Sequence, residues 1–107
     1  MLTVQPRAIQ TRATGGTLVL KLVNTSIARL AFKLKSTNNK EYRVNPAHGF
    51  IEPQGIYHVA IQKSSGPVKE DTFIIQYAEV AADCTDPKAP FKADAQQGEI
   101  IIYAHVV

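Results

Sequence analysis

The residues of this chain best suited to acid–base, nucleophilic or metal chemistry are three histidines, one cysteine and a short acidic cluster. Their spacing argues against each of these chemistries. His48, His58 and His105 are scattered, with no two at the short interval that puts two ligands on one metal ion. His48 falls in a Pro/Gly turn, while His58 and His105 alternate with apolar residues and so should face outward. Asp83, Cys84 and Asp86 stand close in sequence, yet one thiol with two carboxylates is a poor zinc set. A nucleophilic Cys84 would also need a neighbouring base, and the sequence supplies none. Ser64-Ser65-Gly66 lacks the strand–turn–helix setting of a nucleophile elbow. Gly15-Gly16 precedes no helix whose N-terminus would hold a phosphate, so it reads as a turn. The expectation is a protein without enzymatic activity, metal or cofactor.

Charge says more by its placement than by its amount. Twelve Lys and Arg against nine Asp and Glu give a formal net charge of +3, too mild an excess to imply a nucleic acid partner. Lys21, Arg29, Lys33, Lys35, Lys40 and Arg43 nevertheless crowd residues 21–43, where Glu41 is the one acid. Two readings stay open for this cluster: a solvated sheet face, or a docking surface for an acidic peptide.

The elements that must carry these residues are strands. Leu18, Leu20 and Leu22 alternate with Val19, Lys21 and Val23, and Phe32 and Leu34 alternate with Lys33 and Lys35. The same period of two returns in Tyr57, Val59 and Ile61 and in Phe73, Ile75 and Tyr77, with an apolar run from Ile100 to Val107. Turn signals at Gly15-Gly16, Asn24-Thr25-Ser26, Asn38-Asn39 and Ser64–Pro67 separate them. This spacing predicts an all-β chain, an immunoglobulin-like seven-stranded β-sandwich, as one domain over residues 1–107. Leu20, Leu22, Phe32, Leu34, Val59, Ile61, Phe73, Ile75 and Ile102 should form its core. Pro6 and Pro46 interrupt extended runs, so the first strand should lie at an edge or change sheets. The longest segment without strand character, 81–98, allows a helical turn over 88–97, with Asp86 as N-cap and Pro87 at the first helical position.

A lone Cys84 forms no disulfide within the chain, which favours a reducing compartment. No apolar run reaches the ~20 residues of a membrane span. The opening MLTVQPRAIQTR lacks the layout of a signal peptide. A cytoplasmic protein without membrane insertion is expected, in which the Asn24-Thr25-Ser26 glycosylation sequon stays silent.

The order of these features resembles the major sperm protein (MSP) domain, whose pattern runs F-K-V-K-T-T, a polar turn, Y-x-V-x-P and G-x-I/L-x-P. The matching stretches are FKLKST at 32–37, YRVNP at 42–46 and GFIEP at 49–53. Residues 21–39 look particularly like the nematode sperm branch of that family. The resemblance implies a non-enzymatic protein that works by binding proteins: itself, other MSP-domain proteins, or the MSP cytoskeleton of sperm. It also implies cis peptides at Pro6 and Pro46, with a strand that changes sheets.

A second branch, the VAP proteins, captures acidic FFAT peptides on a basic sheet face. Carried over, its positions fall on Lys33, Lys35, Ser36 and Thr37, which are chemically adequate. An asparagine of that branch is Ala47 here, its peptide-reading lysine is Thr72, and its methionine is Ile74. Half of the peptide site is therefore present. A weak homodimer is the other expectation, with Val19, Lys21 and Val23 on the outer face of their strand, either joined to a partner or covered by the 81–98 loop.

Overall fold

The computed structural model describes residues 2–107. In chain order the strands are β1 (Leu2–Gln5), β2 (Ala8–Thr11), β3 (Gly16–Asn24), β4 (Arg29–Ser36) and β5 (Tyr42–Asn45). They continue as β6 (His48–Ile51), β7 (Ile56–Lys63) and β8 (Glu70–Val80), then a single helical turn α1 (Ala89–Lys92) and β9 (Gly98–Val106). One sheet has the order β1-β3-β7-β5 and the other β2-β9-β8-β4-β6. Neighbours run antiparallel except β2 and β9, which are parallel.

Nine strands replace the expected seven because two extended runs are each divided between the sheets. β1 joins the four-stranded sheet and β2 the five-stranded one, with Pro6 between them; β5 and β6 are divided in the same way at Pro46. Proline has no N–H to give a ladder, so pairing ends there and the chain is free to cross. The Gln5-Pro6 and Asn45-Pro46 peptides are both cis.

All nine expected core residues lie between the sheets, none more than 5% exposed. The Phe32 ring meets that of Tyr57 edge-on at 5.2 Å, and Tyr42 meets Phe73 in the same manner at 4.9 Å. Gly49 lies opposite Phe32 in the β4–β6 pair, and a Cβ at Gly49 would stand 2.8 Å from Phe32 Cε1. The glycine of the GFIEP stretch is there because a phenyl ring occupies its side-chain space.

Asn24 is fully buried and joins two turns. Its Nδ2 donates to the carbonyls of Ala28 (2.7 Å), Ile51 (3.0 Å) and Glu52 (3.2 Å), while Oδ1 accepts from Ser26 N (3.0 Å) and Ser26 Oγ (2.7 Å). The residue that reads as a glycosylation acceptor is thus a structural knot with no amide left for modification.

Truncating Phe32 to alanine should cost about 3–5 kcal/mol, measured by chemical denaturation, and a variant that melts like the parent would refute this packing. Gly49→Ala should cost roughly 1–3 kcal/mol through overpacking. That penalty should shrink in a Phe32→Leu background, because the shorter side chain vacates the space.

Candidate protein interface

Strand alternation gives each sheet one outer face, and these two faces hold the candidate residues. On the five-stranded sheet β4 sends Phe32 and Leu34 inward and Lys33 and Lys35 outward. Lys35 lies opposite Ile74 of β8, and Lys33 opposite Gln76 of β8 and His48 of β6. Thr37 continues the face beyond the strand: its N–H donates to Thr72 O at 3.1 Å, and Thr72 N–H donates to Thr37 Oγ1 at 3.0 Å. Ile74 pairs with Ile101 and Thr72 with Tyr103, so an apolar strip borders the lysines. Lys33, Lys35, Thr37, Thr72 and Ile74 therefore share one surface.

Ser36 and Ala47 are placed differently. Ser36 follows the parity of Phe32 and Leu34, lies opposite buried Phe73, and its Oγ accepts the N–H of Asn38 at 3.0 Å. Its hydroxyl already serves the turn. Ala47 sits at the β5–β6 crossing, where its carbonyl accepts Leu34 N–H at 2.8 Å.

The segment after β8 covers the other end of this same face. Arg29 Nη1 donates to Cys84 O at 2.7 Å, Gln97 N–H donates to Tyr77 O at 2.8 Å, and Glu79 N–H donates to Gln97 Oε1 at 3.2 Å. Arg29 also stacks 3.7 Å above the Phe50 ring and pairs with Glu52 at 2.8 Å. Beneath this segment Ala31, Gln76 and Ala78 are buried, although their parity points outward. The helical turn expected over 88–97 is shorter, Ala89–Lys92, with Pro90 within its first turn and no side-chain cap. Its Phe91 meets the His48 ring at 6.2 Å, and Lys33, His48, Lys88, Phe91 and Lys92 line a cleft of about 270 Å³.

Sequence reasoning gave His48 no function, and it has a distinct electrostatic setting. Its pKa is lowered from 6.5, first by burial and then by the nearby charges of Lys33 and Lys88, with Asp86 opposing. Cys84 is half-buried and its carbonyl, not its thiol, holds Arg29. Among the described residues no three His, Cys, Asp or Glu side chains come together as a metal site. Among those same residues no helix is long and apolar enough to cross a membrane.

On the four-stranded sheet β3 and β7 present Val19 opposite Ala60, Lys21 opposite His58 and Val23 opposite Ile56. Val19 is 50% and Ile56 53% exposed. The segment of residues 81–97 lies against the other sheet, so the expected alternative of cover by that loop does not hold for Val19, Lys21 and Val23.

With the fold and both faces in view, comparison with known proteins gives a consistent answer. The family model for the MSP (major sperm protein) domain matches residues 1–99. The chain belongs to the MSP domain family. It is 51% identical over 102 residues to the Caenorhabditis elegans sperm-specific class P protein 34, covering 95% of each chain. The solved structure of WR4, a C. elegans MSP family member, superposes with a TM-score of 0.97 at 48% identity, covering 100% of this chain and 98% of that one. C. elegans SSP-19, an MSP-domain protein like family member, superposes with a TM-score of 0.93 at 38% identity over 98% of both chains.

The lowered pKa of His48 makes a signed prediction for this MSP-domain protein. Below the ordinary value of 6.5 the unfolded chain binds a proton that the folded chain resists, so stability should fall as pH drops through that window. Denaturation curves between about pH 5 and 7.5 should show a weaker slope for His48→Gln than for the parent. Equal slopes would remove His48 as the cause.

Proposed function

We infer that this chain is a non-enzymatic protein–protein interaction module of nematode sperm cytoplasm. It acts by self-association, or by joining other MSP-domain proteins of the sperm cytoskeleton. The sperm-specific names of its relatives support the setting. The observation that carries the mode of action is the outer face of the four-stranded sheet. Val19 with Ala60 and Val23 with Ile56 form two apolar pairs there, and among the described residues no loop is hydrogen-bonded across them. Exposed apolar surface of this kind is covered by a partner in many interaction proteins. Lys21, with His58 opposite, sits between the apolar pairs and keeps the association weak, because a two-fold axis through this face would bring the Lys21 ammonium of one copy near that of the other.

Sedimentation across a concentration series tests this. The parent should pass from monomer to dimer in the high-micromolar range, and Val19→Glu with Ile56→Glu should remain monomeric. A parent that stays monomeric throughout would overturn the self-association reading.

A second reading, capture of acidic peptides, is favoured by the shared surface of Lys33, Lys35, Thr37 and Thr72. It is the weaker one, since Thr72 offers no charged donor and Ala47 no side-chain amide. Losing one charged hydrogen bond removes roughly 1.5–3 kcal/mol and a neutral one about 1, together something like two orders of magnitude in affinity. A FFAT-like peptide should bind the parent weakly or not at all, and added salt should reduce what binding exists. Thr72→Lys with Ala47→Asn should restore a measurable affinity in calorimetry. Micromolar binding by the parent would make peptide capture the primary reading.

A further inference from the structure

We propose that the uncovered edge of β3, beside a buried lysine, is a docking site for an extended acidic peptide segment that adds as a strand. This site is the edge of the four-stranded sheet rather than its outer face, with Val19 belonging to both. β1 pairs with β3 only from Lys21 to Asn24, so Gly16–Leu20 have a strand on the β7 side and none on the other. Among the described residues no loop supplies the missing backbone hydrogen bonds of that stretch. Free edges are commonly blunted by proline, by charge or by a bulge. This one reads Gly-Thr-Leu-Val-Leu and carries no charge or proline until Lys21. An edge of that composition is a template for an incoming strand, whose backbone would supply the hydrogen bonds and whose alternate side chains would choose the partner.

The charge of the partner follows from what lies behind the edge. Gln10, Thr11, Arg12, Gly15–Leu18 and Lys63 line a cavity of about 230 Å³. Lys63 is only 3% exposed and sits opposite Gly16, where a Cβ would meet nothing within 4 Å. Its ammonium donates to the carbonyl of Ser64 at 3.0 Å and faces the Tyr42 ring at 5.7 Å. None of the described carboxylates pairs with it within 4.0 Å. The ammonium keeps donors to spare, and an arriving carboxylate would find them free. Arg12, which lines the same cavity, likewise shows no ion pair or side-chain hydrogen bond among the described residues. An added strand would send alternate side chains inward beside Gly16 and Leu18, and a carboxylate there would meet both cations. A second copy offering the same edge would bring its own Arg12 and Lys63 against these two. An acidic partner strand is the complementary occupant.

A short blocked peptide of alternating valine and glutamate serves as the probe, with alternating valine and lysine as its control. Calorimetry should detect binding of the glutamate peptide alone, and amide hydrogen exchange should slow at Thr17–Leu20 when it is added. Arg12→Ala should weaken that binding roughly tenfold or more, as expected for a lost hydrogen bond between charged groups. This variant keeps the fold, because the Arg12 side chain is exposed and has no partner to lose. Lys63→Met should have at least as large an effect, while Lys33→Ala with Lys35→Ala should leave the affinity unchanged. The proposal is overturned by absent binding, by equal binding of the lysine peptide, or by binding that depends on Lys33 and Lys35 instead. It is also overturned if inorganic phosphate displaces the peptide with no change in exchange at Thr17–Leu20.

Discussion

A sandwich needs its outermost strands to close the gap between two sheets, and here a single chain does this by dividing two runs at proline. The run from Leu2 to Thr11 breaks at Pro6, and the run from Tyr42 to Ile51 breaks at Pro46. Each break places four residues in one sheet and four in the other. The gain is a core enclosed on both flanks. The consequence is that β1 is too short to cover β3. Nine residues of β3 meet four of β1, so the partner-free edge at Gly16–Leu20 follows directly from the crossing at Pro6. The same crossing at Pro46 puts Ala47 against Leu34, which fixes β6 beside β4 and brings His48 opposite Lys33. Core closure and the layout of the surface are therefore one problem with one solution.

Two buried polar residues show how differently the interior treats polarity. Asn24 spends both of its side-chain groups on neighbours within two turns, and its burial is compensated in full. Lys63 is almost as buried and has one hydrogen bond and one aromatic face. The first residue holds the end of the sandwich where β3–β4 and β6–β7 turn. The second lies at the opposite end, beside the cavity that Gly16 lines. A fold that satisfies one end so completely and leaves a cation short of partners at the other is polarised along its strands.

Much of this was legible in the sequence because period two is a strict constraint: it assigns every residue of a strand to a face. Leu20, Phe32, Ile61 and Phe73 each adjoin one polar residue, Lys21, Lys33, Gln62 and Thr72, which sets them inward, while His58 and His105 alternate outward. The same rule held a signal that went unread. Val59, Ile61 and Lys63 share one parity, so a lysine on the core side was implied by the alternation itself. Ser36 is the mirror case, since the parity of Leu34 put it on the core side while its hydroxyl and its place beside Lys35 suggested the surface. Alternation could not show where strands divide between sheets, because the period is unchanged when a strand changes partners. Nor could it show which sheet the 81–97 segment would cover, since that depends on Arg29, Tyr77 and Glu79, three residues whose meeting is a property of the assembled sheet.

The two outer faces differ in what a partner would have to overcome. On the five-stranded sheet the chain already covers one end with its own loop, and Lys33 is drawn into a cleft with Lys88 and Lys92. A ligand there meets concentrated positive charge, so its binding is governed by salt and by its own carboxylates. On the four-stranded sheet the charge is sparse and the apolar residues lie in register across β3 and β7, so contact is governed by area removed from water. At ~25 cal/mol per Å², a few side chains the size of Val19 and Ile56 provide only a few kcal/mol before the loss of rotational and translational freedom is counted. A partner held by that area alone would be held only transiently.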